Sequence, residues 1–166
     1  MNNNNLLISS YSKSIERCRT DWLNVTVHCK VKGKGASPYL SRRPLVKAMH
    51  LTLSALSEEV NGGEPLRRVA CWGGSAIRKT PQHIHMLLEK PTQYKQDFND
   101  RFEDYFKKSS KDVFNKRDIE PVIWHQDFII SEEMKVEHFI SYIFRQENTL
   151  QGVDESKIIV DILLLN

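Results

Sequence analysis

In the run Gln82-His83-Ile84-His85-Met86-Leu87-Leu88, two histidines flank a single isoleucine within an apolar stretch. Such a stretch reads as a strand. Side chains alternate faces along a strand, so His83 and His85 project from one face with Cα atoms roughly 6–7 Å apart. That spacing lets two imidazoles converge on one divalent cation. Further along, Tyr142-Ile143-Phe144-Arg145-Gln146 lies in a helical pattern, where residues four apart are neighbours on one face. Tyr142 offers a nucleophile, and the amide oxygen of Gln146 offers a third, weak, hard ligand. A metal and a tyrosine together are the least equipment that cuts a phosphodiester through a covalent phosphotyrosine.

Holding these groups takes a sheet for the histidines and a helix for the tyrosine. Trp22 to Val31 alternates as a strand, with Leu23, Val25, Val27 and Cys29 on one face and Trp22, Asn24, Thr26 and His28 on the other. Lys32 to Ser37 is a Lys- and Gly-rich loop. Ser41 can cap a helix whose apolar stripe is Leu45, Met49, Leu53, Leu56 and Val60, and Asn61-Gly62-Gly63 stops it. Leu66 to Trp72 reads as a strand, Gly73-Gly74-Ser75 as a turn or bulge, and Gln82 to Glu89 as the histidine strand. Pro91-Thr92 opens a second helix with Tyr94, Phe98, Phe102 and Tyr105 at helical spacing. Ile119 to Ile130 is another strand. Ser131 caps the helix of Tyr142, Gly152 ends it, and Lys157 to Leu165 forms a last strand or a docked helix. The order β-α-β-β-α-β-α, with a possible final strand, predicts an α+β fold in which helices pack on an antiparallel sheet. Residues 1–20 read as a polar arm with a short helix near Ser14 to Arg19, and 21–166 as one domain.

Within the Tyr142 helix, Val136, Phe139, Ile140 and Ile143 define the apolar stripe. Tyr142 lies off its centre, beside Lys135, Arg145 and Gln146, which favours an exposed tyrosine over a packed one. With 166 residues the chain is long enough to bury a core. Cys18, Cys29 and Cys71 are odd in number and lack C-x-x-C spacing, so they read as reduced thiols. Met1 to Asn5 is too polar for a signal peptide, and Asp161 interrupts the apolar run Ile158 to Leu165; the expectation is a cytoplasmic protein without a membrane span. The formal net charge of +3 does not by itself point to nucleic acid. The basic residues do cluster, at Lys30, Lys32 and Lys34, at Arg42-Arg43, Arg67-Arg68 and Arg78-Lys79, and at Lys107-Lys108 with Lys111, Lys116 and Arg117. Clusters of this kind suit phosphate contacts and equally suit a solvated surface.

His-hydrophobe-His followed by one tyrosine on a later helix resembles the HUH endonucleases, the superfamily of rolling-circle replication initiators, relaxases and single-tyrosine transposases. The resemblance implies an RRM-like antiparallel core, catalytic Tyr142, and Mg²⁺ or Mn²⁺ held by His83, His85 and a third ligand. Many initiators place that ligand as a glutamate shortly before the histidines, where Gly74-Ser75-Ala76 has no carboxylate. Single-tyrosine transposases place a Gln or Asn four residues after the tyrosine, as Gln146 stands here, with Glu147 as the alternative. The implied partner is single-stranded DNA or a hairpin, held by Lys30, Lys32, Lys34, Arg78, Lys79, Lys135 and Arg145, with Trp72 and Trp124 as possible stacking surfaces. The implied protein is a monomer or homodimer, in the host cytoplasm if phage-encoded. Phe139 and Phe144 leave no second tyrosine on the helix, so a one-tyrosine replication initiator of a mobile element is the leading reading and a transposase the next. A rival of another class is a non-catalytic nucleic-acid-binding module on the same fold. It lacks the aromatic RNP1 pattern and leaves the histidines and Tyr142 unexplained.

Overall fold

Alternation along the chain decides the architecture. In the computed structural model, which describes residues 3–17, 20–33, 42–75, 80–114, 118–128, 136–141 and 159–163, five strands form one antiparallel sheet. The elements are helix α1 (Asn3–Arg17), β1 (Asp21–Val31), α2 (Arg42–Val60), β2 (Arg68–Ser75), β3 (Thr80–Lys90), a single 3₁₀ turn at Thr92–Tyr94, α3 (Phe98–Phe114), β4 (Ile119–Phe128) and β5 (Ile159–Leu163). Residues 136–141, between β4 and β5, are helical. The strand order is β4-β1-β3-β2-β5. Its first four strands with α2 and α3 make the split βαβ arrangement of ferredoxin-like and RRM-like domains, the α+β class expected from the element order. Among the described residues no helix is long and apolar enough to cross a membrane.

One face of the sheet is closed. Leu23, Val25 and Val27 of β1 and Ile84, Met86 and Leu88 of β3 lie buried beneath Leu45, Met49, Leu53, Leu56 and Val60 of α2 and Phe98, Phe102, Phe106 and Phe114 of α3. Each such side chain contributes about 1.5–3 kcal/mol relative to remaining exposed, so this layer carries most of the stability. The stripe predicted for α2 is the buried one. The second helix begins later than its sequence signal suggests, because Pro91 and Thr92 open the 3₁₀ turn and Tyr94 packs from there against the core. Gly62 and Gly63 take positive φ angles of 60° and 86° just beyond α2, a backbone conformation that glycine adopts without a Cβ penalty.

Among the described residues, the other face is covered at one end only. There Trp22, Val69, Leu87 and Phe128 are buried with Ile15 of α1 and with Val136 and Ile140 of the 136–141 helix, and Tyr11 and Phe139 pack at the margin. The short helix expected near Ser14 to Arg19 is longer and begins earlier: residues 3–17 are one helix, anchored through buried Ser12 and Ile15. Its Asn-rich start gives little local signal, and docking of a few side chains stabilises it instead. Strand β5 takes the place left open as strand or helix for Lys157 to Leu165, pairing with β2 at the sheet edge. Ser41 and Ser131, the expected caps, and Cys18 lie outside the described residues.

Candidate metal and single-strand site

Strand pairing brings the histidines to the uncovered end of that second face. His83 and His85 stand on β3, two strands in from the β4 edge. His28 of β1 lies directly opposite His83, and Thr26 opposite His85. The residues that alternate with them, Ile84 and Met86, point into the closed core with no exposed surface, so alternation forces both imidazoles to the open side.

The two rings meet edge to face, with centroids 4.5 Å apart and planes at 86°. Their Nε2 atoms are 2.9 Å apart. Two nitrogens bound about 2.1 Å from one ion at right angles to each other stand roughly 3.0 Å apart. The pair is thus already at the separation of neighbouring ligands on one divalent cation. On the far side of His85, Thr26 Oγ1 lies 3.0 Å from Nδ1. With its proton on Nδ1, the ring donates to that hydroxyl and keeps the Nε2 lone pair toward His83, the outer-sphere arrangement that orients metal-binding histidines. Among the described residues, no three or more His, Cys, Asp or Glu side chains group as a metal site. The separation of the two imidazoles alone fits the ligand spacing of a divalent cation.

A glycine makes the geometry possible. Gly73 of β2 is paired with His83 across the hairpin. A Cβ placed on Gly73 would overlap His83 Nε2 and lie 2.7 Å from its Cε1 and 2.9 Å from its Cδ2. The His83 ring therefore lies over the β2 backbone in space that only glycine leaves. The register that sets this pair is pinned at the other end of the hairpin. There Arg67 Nη2 and Nε donate to Glu89 Oε1 and Oε2 at 2.8 and 3.1 Å, and the Arg67 backbone N–H donates to Oε2 at 3.0 Å. Gly73 is part of the bulge expected from Gly73-Gly74-Ser75, with strand pairing resuming at Ser75. Its use could not be read without knowing which residue stands opposite.

His28 is the other residue whose place sequence reasoning underrated. Burial, then the facing His83 imidazole, then the Lys30 charge push its pKa below the ordinary histidine value, which favours the neutral ring at physiological pH. Its position on the polar side of β1, two residues from Thr26, was the available signal. His125, by contrast, points to the closed side, where its Nε2 lies 3.0 Å from Glu103 Oε2 of α3. Trp124 stands in the same cross-strand row as Thr26 and His85 and is 50 % exposed.

Of the expected DNA contacts, Lys30 is ion-paired with Glu120 at 2.8 Å and Lys32 is exposed at the end of β1. Lys34, Arg78, Lys79, Lys135 and Arg145 lie outside the described residues, as do Tyr142, Gln146 and Glu147. Of the helix predicted to carry Tyr142, residues 136–141 are described: Val136 and Ile140 are buried on the histidine-bearing face, as the predicted stripe requires. A cavity of about 460 Å³ between the end of α3 and β4, lined by Phe106, Phe114, Pro121 and Ile123, opens on the opposite side of the sheet and includes none of these histidines.

No protein-family model matches the chain, and no curated protein matches it. Among solved structures it is similar to a hydantoinase/carbamoylase family amidase from Burkholderia ambifaria, at 19% identity and a TM-score of 0.32 over 81% of this chain and 34% of that one. It is also similar to an aminobenzoyl-glutamate utilization protein from Klebsiella pneumoniae, at 11% identity and a TM-score of 0.36 over 82% and 34% of the two chains. A hydrolase from Listeria innocua aligns at 11% identity and a TM-score of 0.30 over 84% and 79%. The chain spans about a third of the length of the first two. Likenesses this weak transfer no activity, and the functional reading rests on the chain's own residues.

Proposed function

We propose that this protein nicks and rejoins single-stranded DNA through a 5′-phosphotyrosine at Tyr142, as a replication initiator of a phage, plasmid or similar mobile element. The observation that carries this reading is the His83–His85 pair, with Nε2 atoms 2.9 Å apart on the same sheet face that receives the helix running toward Tyr142. His83, His85 and the side chain of Gln146 would hold Mg²⁺ or Mn²⁺; Glu147 is the alternative third ligand. A divalent ion held there would supply positive charge against the scissile phosphate as charge builds. Tyr142 loses its proton and its Oη attacks phosphorus, the bond to the 3′ oxygen breaks, and a 3′-OH leaves. The same hydroxyl attacks the phosphotyrosine to reseal the strand, or primes synthesis. Thr26 keeps the His85 ring oriented throughout.

The Tyr-x-x-x-Gln spacing also supports a single-tyrosine transposase, which would use the same chemistry. The test is incubation with labelled single-stranded oligonucleotides and Mn²⁺, followed by a denaturing gel, for wild type, Tyr142→Phe and His83→Ala. A slow-migrating covalent species lost in both variants is the expected result. No such species across a diverse pool, including sequences flanking the gene, would sink the nuclease and leave a non-catalytic binding module.

A further inference from the structure

The nicking chemistry makes no use of Trp124, yet the fold spends an indole beside the histidines without burying it. Trp22 is 1 % exposed and sits in the covered end of the same face; Trp124 is 50 % exposed at the open end. In the strand registers Trp124 pairs with Thr26, and Thr26 with His85, whose Nδ1 the threonine hydroxyl meets at 3.0 Å. Strand spacing puts the Trp124 and His85 backbones roughly 10 Å apart, a span that about one or two nucleotides of extended strand cover. Along β4 the indole is flanked on its own face by Gln126 on one side and Val122 on the other. Gln126, Thr26 and His28 stand around it on the same face. An apolar helix or a second sheet would bury Gln126 and His28 along with the ring, whereas a nucleobase matches the ring with its own π-face and leaves its polar edges to those neighbours.

We infer that Trp124 is the stacking platform for one unpaired base next to the phosphate held at His83 and His85. The identity of the occupant rests on the single-strand reading proposed above. The platform takes any base, because every base presents a π-face; it sets the path of the strand and not its sequence.

The test is binding of fluorescein-labelled oligothymidylate in EDTA, where no cleavage intervenes, by wild type, Trp124→Phe, Trp124→Leu and Trp124→Ala. Quenching of tryptophan emission is followed alongside, and thermal unfolding checks that each variant folds. The wild-type emission is expected to fall on saturation. The Leu and Ala variants should bind about five- to a hundredfold more weakly, and Phe should retain most of the affinity. The slope of affinity against salt should stay the same in all four, since no phosphate contact is lost. Undiminished binding by Trp124→Leu, or no binding or quenching in wild type, overturns the inference. The two proposals fail separately. A covalent adduct together with full-strength Trp124→Leu binding removes the platform and keeps the nuclease. Binding that depends on Trp124, with no adduct from any protein, keeps the platform and removes the nuclease.

Discussion

The two faces of this sheet are built from the same strands and serve opposite ends. On β1 and β3 the residues facing α2 and α3 are Leu23, Val25, Val27, Ile84, Met86 and Leu88, every one of them without exposed surface. The residues that alternate with them, Thr26, His28, His83 and His85, are half-buried polar groups on the surface that the described helices leave open. One face removes water to stabilise the fold; the other leaves its polar groups accessible to solvent. A one-residue slip of register would exchange the two sets, so the closed face also fixes where the histidines point.

The largest effect that would test this division is on stability. Phe102→Ala, at a fully buried position of α3, should cost about 3–5 kcal/mol in urea unfolding, whereas His85→Ala should stay within about 1 kcal/mol of wild type. Comparable losses from both would mean that the open face is core after all, and the functional reading of the histidines would lose its footing.

Gly73 sharpens the contrast, because here stability and binding should move apart. Alanine within a strand avoids the entropy cost of glycine, about 0.5–1 kcal/mol, so Gly73→Ala should unfold no more easily than wild type. Its Cβ, however, occupies the space of the His83 ring. Calorimetric titration with Mn²⁺ should show affinity reduced by at least about tenfold. Adding Gly73→Ala to His83→Ala should cost little more, since both act through one imidazole. Full additivity in that double variant would show that Gly73 serves the site by some route other than His83.

How much of this was legible in the sequence follows the range of each signal. The alternation in Trp22 to Val31, the His-Ile-His spacing and the stripe Leu45, Met49, Leu53, Leu56 and Val60 are local patterns, and all three faces they imply are the faces found. The full extent of the 3–17 helix escaped because its burial rests on Ser12 and Ile15 meeting a sheet face assembled from distant residues. The clearance at Gly73 and the position of His28 needed the pairing of β3 with both its neighbours, which no local pattern states. Tyr142 and Gln146 were singled out by spacing and resemblance alone, and they lie outside the described residues.

The smallest expected effect concerns the charge that the closed face does admit. Lys90 is 2 % exposed, the charged residue buried among those described, and its Nζ donates to Asp127 Oδ1 at 2.7 Å and to Asn99 Oδ1 at 3.0 Å. The hydrogen bond from Lys90, followed by that from Asn99, holds the Asp127 carboxyl below its ordinary value of 3.8. A carboxylate with a depressed folded-state pKa contributes stability that is fully present above the unfolded value and is lost as pH falls through the folded one. Asp127→Asn keeps an acceptor for Lys90 but removes the countercharge. With Asp127 half in solvent, the cost at neutral pH should be only about 1 kcal/mol. Measured by urea unfolding, the gap between the two proteins should be constant well above 3.8 and should close as the pH drops below the depressed pKa. A gap that persisted in strong acid would mean that the side chain acts through shape and not charge. The closed face would then tolerate Lys90 by its amide partners alone, and the rule that this layer admits charge only when it is neutralised would fail.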